Sequence, residues 1–315
     1  MEVLILNRGE VERLLDLDEL LDALRDAFRA ISTGEVAAAP RNELAGPGEA
    51  FLLGMPGRTR DGLMAVKVVT VYETNLELGI PSHLATIGLY DSGTGECRAF
   101  IDGTYITAIR TSAAAALSCD LLARADSRVL AIVGAGVQGA NHLRTFPLVR
   151  DFEEIRVSSS RYEDAERVAA ADPRARAVRT AEEAVRGADV VALTTHAAHP
   201  VIEPGWVAPG THVTSIGYRP PEGELPRELA RAGRLFVETR EAFAPTPVGC
   251  SELQGLDPAS GTELGEVLLG RAAGRADDEE ITVYKAMGHV AEDIAAAELV
   301  YAAARRGRAG TLVEL

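Results

Sequence analysis

The 315-residue chain has no run of about 18 apolar residues, so no membrane-spanning helix is expected. The opening Met1-Glu2-Val3-Leu4-Ile5-Leu6-Asn7 has no basic segment ahead of an apolar stretch and no small-residue cleavage site, and does not read as a secretory signal. Cysteine is scarce: Cys97, Cys119 and Cys250 stand far apart, without the paired spacing of zinc ligands or redox dithiols. Buried reduced thiols in a cytoplasmic protein are the expectation. Positive charge is also in deficit. A formal net charge of −15 would repel a phosphate backbone, so nucleic acid is not an expected partner. No clustered His/Cys/carboxylate arrangement points to a catalytic metal, and no nucleophile–histidine pair stands in a convincing context. Repeats of solenoid period are missing too.

What is present is enough chain for two domains, each able to bury its own core. Val11, Leu14, Leu15, Leu20, Leu21, Leu24 and Phe28 recur with helical period, which predicts one or two amphipathic helices at the start. From Phe51 to Phe100 the texture turns to β-rich runs, and Asp91-Ser92-Gly93-Thr94-Gly95-Glu96 has the turn chemistry of an antiparallel hairpin. An alanine-rich helix is expected over 108–123. Beyond it Val129–Val133, Glu154–Ser158, 190–194, 212–216 and Arg234–Val237 are short apolar runs alternating with helical or loop-like stretches, as a parallel sheet requires. The fold class is α/β: a Rossmann domain over 121–290, and a discontinuous α+β domain over 1–120 that a final helix completes within 291–315.

Gly134-Ala135-Gly136-Val137-Gln138-Gly139 fits G-x-G-x-x-G directly after an apolar strand and before a helix, the context that gives this short motif its weight. The first glycine permits a tight turn, the second lets backbone approach a pyrophosphate, the third allows close packing, and the helix N-terminus offers free N–H groups. A mere glycine-rich turn is the competing reading. After the next strand stand Ser159-Ser160-Arg161, where a site for NAD would place an acid against the ribose hydroxyls. Serines and an arginine suit a 2′-phosphate, so NADP is favoured over NAD; the alternative is that Arg161 only flanks a solvated helix start. Thr194-Thr195 and Ile216-Gly217 fall at carboxyl ends of strands and are expected to line the cofactor cleft. His196 and His199 read as exposed loop histidines.

Three basic positions in the first half bear on a substrate. Arg41 follows Pro40 in a loop, Lys67 sits inside the apolar run 64–71, and Arg110 lies in Ile106-Thr107-Ala108-Ile109-Arg110-Thr111. A lysine in a strand built for a core is costly unless it has a partner or a task; solvation at a sheet edge is the bland alternative. For Arg41 and Arg110 taken alone, surface placement is an equally good reading.

The chain resembles the ornithine cyclodeaminase/mu-crystallin family. The matching segments are Lys67-Val68-Val69, Pro81-Ser82-His83-Leu84-Ala85-Thr86, Asp102-Gly103, Ile106–Ala113, Gly134–Gly139 and Tyr284-Lys285-Ala286-Met287-Gly288 with Glu292-Asp293, in the family's order along nearly the whole chain. The resemblance implies a Rossmann domain joined to a substrate-binding and dimerisation domain, and a homodimer. It makes Arg41, Lys67 and Arg110 ligands of a substrate carboxylate, with Lys67 also a proton donor or relay, and places Thr111 beside the cofactor phosphates; Asn75 and Thr107 have weaker claims. Guanidinium forks suit a carboxylate, and a desolvated lysine can exchange a proton near neutrality.

One position departs from the cyclodeaminases of the family, which carry an aspartate just after the Ile-Gly strand end. This chain reads Ile216-Gly217-Tyr218-Arg219-Pro220-Pro221, and Arg219 cannot serve as general base or hold an ammonium group. The Arg-Pro pairing resembles the ketimine-reductase branch. The expected activity is therefore NAD(P)H-dependent reduction of a cyclic imine bearing a carboxylate, such as pyrroline- or piperideine-2-carboxylate, to the L-amino acid. The alternatives are an alanine dehydrogenase or opine-type enzyme, a cyclodeaminase using NAD, and a non-catalytic NADP(H)-binding protein.

Overall fold

The computed structural model describes residues 2–60 and 62–315, and divides them into two compact units. Met1 and Asp61 lie outside the described residues. One unit comprises residues up to Arg110 together with His289–Leu315; the other is Thr111–Gly288.

The first unit opens on a strand the periodicity did not announce, β1 (Glu2–Leu6), followed by α1 (Arg8–Leu14) and α2 (Leu17–Thr33). Asn7 and Glu10 form a reciprocal capping box on α1, Asp16 accepts the Asp18 and Glu19 amides at the start of α2, and Gly34 ends α2 in the left-handed region. Leu20, Leu24 and Phe28 are fully buried on one face of α2, each contributing about 1.5–3 kcal/mol through removal from water. The strands follow: β2 (Ala37–Ala38), β3 (Asn42–Ala45), β4 (Phe51–Arg58), β5 (Met64–Val71), β6 (His83–Tyr90) and β7 (Cys97–Asp102). Asp91 Oδ1 accepts the Gly93 and Thr94 amides in the expected turn, and β6 and β7 pair as the antiparallel hairpin that turn demands. The alanine-rich helix α3 (Gly103–Leu122) starts earlier than its alanines do. Asp102 Oδ1 accepts the Tyr105 amide at 2.9 Å, which starts the helix on residues of modest propensity and places Arg110 two turns inside it.

The second unit alternates as expected: β8 (Val129–Val133), α4 (Val137–Thr145), β9 (Glu154–Ser158), α5 (Tyr162–Ala169), β10 (Ala175–Ala177), α6 (Ala181–Val185), β11 (Val190–Leu193), β12 (His212–Ser215), α7 (Arg227–Ala232), β13 (Arg234–Val237), β14 (Gly261–Glu263), α8 (Leu264–Leu268) and β15 (Thr282–Lys285). Among the described residues these make an eight-stranded parallel sheet ordered β10-β9-β8-β11-β12-β15-β13-β14. The order reverses between β8 and β11, the switch point at which open α/β sheets bind ligands. Both sheet faces are covered by apolar clusters, which is why strands such as β8 and β11 are continuous rather than alternating in hydrophobicity.

The chain then returns to the first unit as α9 (Val290–Gly307), packed on α2, and β16 (Thr311–Glu314). The sheet there runs β16-β1-β7-β6-β5-β4-β2, with β3 also on β4, and among the described residues only β1 and β7 pair in parallel. Residues of β5 alternate between half-buried and buried along its length, so Ala65, Lys67, Val69 and Val71 share the inward face.

Candidate active site

In the second unit, the loop leaving β8 is built as its glycines require. Gly134 has φ +114°, and a Cβ there would meet Thr194 Oγ1 at 2.7 Å and the Thr194 carbonyl oxygen at 2.8 Å. A Cβ at Gly139 would stand 2.0 Å from the Gly134 carbonyl oxygen, so α4 can close on the loop only with glycine there. At Gly136 the same test meets nothing within 4 Å: the chain opens at the N-terminus of α4, which no side chain caps and where Val137 is exposed. An open cradle of N–H groups at a helix start fits a dinucleotide pyrophosphate. The Thr145 hydroxyl, at the far end of α4, donates to the Ser112 carbonyl, tying α4 to the stretch of α3 that begins with Thr111.

At the end of β9, Ser158 Oγ is buried with no hydrogen-bond partner, Ser159 is half-buried, and Ser160 and Arg161 are exposed. Arg161 Nε lies 3.5 Å from Asp164, a surface contact of little strength. Nothing acidic occupies the strand end itself. Thr194 is buried and donates to the Val133 and Gly134 carbonyls, joining the ends of β8 and β11. His196 and His199 are exposed, the latter 2.7 Å from Glu222.

In the first unit, Lys67 is not at a sheet edge. It lies on β5 between Met55 of β4 and Ile87 of β6 and is 2% exposed. Its Nζ is 2.6 Å from Asp293 Oδ2, in the first turns of α9. Arg110, 4% exposed, donates from Nε to the other oxygen of Asp293 at 3.0 Å and from Nη1 to Glu292 at 3.2 Å. Glu292 also accepts the His289 amide at 2.6 Å, closing the capping box of α9, so the helix start itself fixes both carboxylates. Arg41 is half-buried, near enough for its charge to act on Lys67. Burial pulls the Lys67 ammonium down to about 8 and the charges of Arg110 and Arg41 pull the same way, while Asp293 holds it up. Asp293 stays below the usual carboxylate range: burial would raise it, and Arg110 and Lys67 prevail. The three basic residues singled out in the sequence thus converge on one place. Asp293, known beforehand only as part of a matching segment, is what joins two of them. The Asn75 side chain donates to the Pro81 carbonyl.

Sequence reasoning missed a second buried charge cluster, in the second unit. Lys285, at the end of β15, is fully buried and donates to Ser215 Oγ, to the Gly217 carbonyl and to Glu252 Oε1 at 2.9 Å. Glu224, also fully buried, accepts five hydrogen bonds from residues 195 and 215–217. Lys285 entered the sequence reading only within the matching segment Tyr284–Gly288, which names no partner for it. Arg219 is half-buried in the loop that follows Gly217.

Comparison with known proteins places the whole chain in one family. The model of the ornithine cyclodeaminase/mu-crystallin family matches residues 1–308. The chain is 39% identical to the ketimine reductase mu-crystallin of Mus musculus over 254 residues, 80% of each chain. It is 32% identical to the structure of Thermococcus litoralis Delta(1)-pyrroline-2-carboxylate reductase in complex with NADH and L-proline, with a TM-score of 0.92 over 99% of this chain and 100% of that one. An archaeal alanine dehydrogenase dimer with bound NAD follows at 30% identity and a TM-score of 0.88, with both chains covered in full. A two-unit α/β fold, a glycine loop shaped for a dinucleotide and this breadth of similarity carry one conclusion: the chain belongs to the ornithine cyclodeaminase/mu-crystallin family.

Proposed function

We propose that this protein is an oxidoreductase that reduces the C=N bond of a cyclic imine bearing a carboxylate, of the pyrroline- or piperideine-2-carboxylate kind, to the L-amino acid. The observation that carries the reading is the buried Lys67, linked through Asp293 to Arg110 and within electrostatic reach of Arg41. Guanidinium groups bind a carboxylate through charge-assisted hydrogen bonds, so Arg110 and Arg41 anchor the substrate. Lys67, with its ammonium drawn down to about 8, gives a proton to the imine nitrogen as that nitrogen gains electron density. Asp293 orients that ammonium and keeps part of its basicity. The dinucleotide, when bound, supplies the hydride, and the product amine balances one hydride and one proton. Lys67 then regains its proton from solvent.

The residues assigned to the dinucleotide are Gly134–Gly139 with Thr111 for the phosphates, Ser159, Ser160 and Arg161 for the adenosine ribose, and Thr194, Thr195, Ile216 and Gly217 at the strand ends. NADP is the preferred cofactor, because a strand end with serines and an arginine favours a 2′-phosphate over a bare diol. The same proposal includes a homodimer. Leu84 and Phe100 point to the outer face of the first unit's sheet, opposite Lys67, and with Leu44 remain exposed, while the archaeal neighbour is a dimer. Three free cysteines, all buried, suit the reducing cytoplasm.

Loss of reduced-nicotinamide absorbance on adding pyrroline- or piperideine-2-carboxylate to protein and NADPH tests the reading. Stoichiometric, imine-dependent loss is expected. Ammonia release from ornithine with no net change in the cofactor would replace it with cyclodeamination.

A further inference from the structure

The five hydrogen bonds on Glu224 are distributed in a particular way. Its Oε2 accepts from the Thr195 amide at 2.6 Å and the Thr195 hydroxyl at 2.7 Å, just past β11. Its Oε1 accepts from Ser215 Oγ at 3.0 Å and from the Ile216 and Gly217 amides at 3.1 and 2.6 Å, just past β12. A single buried carboxylate therefore grips the carboxyl ends of two neighbouring strands. Lys285, beside Ser215 in the sheet register, supplies positive charge from below and shares Ser215 and Gly217 with it. The loop that delivers Glu224 has no slack: a Cβ on Gly217 would meet the Thr195 carbonyl oxygen at 2.2 Å and the Glu224 carboxyl carbon at 2.7 Å. Gly223 has φ +80°, and its Cβ would meet the Glu252 carboxylate at 2.1 Å.

Burying a carboxylate is expensive, and ordinary strand ends satisfy their amides with water or the next turn. The place where this charge is buried gives it a purpose. The pyrophosphate loop and the ribose-facing serines follow β8 and β9, so the adenosine half of a dinucleotide belongs to that side of the switch point; the nicotinamide half belongs to the ends of β11 and β12. We propose that Glu224 is a positioning residue for the nicotinamide half of the cofactor, with Lys285 as its charge partner. It fixes the main chain of Thr195 and Gly217, on which the ring is oriented. This inference rests on the dinucleotide reading above.

Binding separates this role from a purely structural one. NADPH and ADP-ribose carrying the same adenosine 2′-phosphate, which lacks only the nicotinamide, are titrated calorimetrically into wild type and Glu224→Gln, and the fluorescence of bound NADPH is recorded. Loss of charge-assisted hydrogen bonds is expected to raise the Kd for NADPH about tenfold or more and to lower the nicotinamide fluorescence enhancement, with the Kd for ADP-ribose held within about twofold. Equal weakening of both ligands, or wild-type affinity for both, overturns the assignment. Wild type that binds neither ligand overturns the dinucleotide reading as well. Should Glu224→Gln fail to fold, Ser215→Ala removes one hydrogen bond to Glu224 and one from Lys285 at a residue not assigned to the cofactor, and decides by the same split: weaker NADPH with unchanged ADP-ribose supports the role, and unchanged NADPH contradicts it.

Discussion

Two lysines of this protein are buried to nearly the same degree, and their surroundings drive them in opposite directions. Lys67 has Asp293 on one side and the guanidinium groups of Arg110 and Arg41 nearby, and it falls to about 8. Lys285 feels the same pull from burial, but Glu252, the Cys250 thiol and Glu224 outweigh it and leave the ammonium above its ordinary value. Burial alone therefore does not make a lysine reactive; the sign of the charges around it decides. The first can exchange a proton at physiological pH, and the second is a permanent cation that neutralises carboxylates inside a sheet.

The comparison breaks first at Lys67. Lys67→Ala is expected to lower kcat for imine reduction about 10²–10⁴-fold while calorimetric binding of NADPH persists; turnover within a few-fold of wild type would take the lysine out of the chemistry. Lys285→Met is expected to act on stability, losing about 3–5 kcal/mol because two buried carboxylates are left without their cation. Urea denaturation measures this, and an unchanged midpoint would show that Lys285 adds nothing to the stability of the fold. A smaller effect is expected at the adenosine end, where Arg161→Ala should weaken NADPH about tenfold relative to NADH. Equal affinities before and after the change would assign the exposed arginine to the surface.

The two clusters also differ in how far the sequence disclosed them. Gly134, Gly136 and Gly139 were legible because each has a local backbone reason, and Lys67 was legible because a cation inside Met64–Val71 contradicts its own strand. Glu224 and Glu252 sit in loops whose composition is ordinary, and Glu252 meets Lys285 across 33 residues. No local pattern encodes such a pairing. The early start of α3 escaped for a related reason, since Gly103, Thr104 and Tyr105 are weak helix formers that Asp102 and the packing of Gly103 against Ala85 and Ile87 recruit. The strands β1 and β16 pair with each other from opposite ends of the chain, beyond the reach of any periodicity.

The most direct test of the account is the pH dependence of kcat/KM for pyrroline-2-carboxylate in wild type and in Asp293→Asn. Lys67 must carry its proton to act as donor, so the rate should fall as pH rises through about 8 in the wild type. Asp293 favours the charged form of the lysine, so its removal should move that alkaline limb to lower pH, whereas ionisation of the substrate itself is common to both proteins. A limb displaced downward in Asp293→Asn is the predicted result. A limb at the same pH in both would contradict a proton delivered by Lys67.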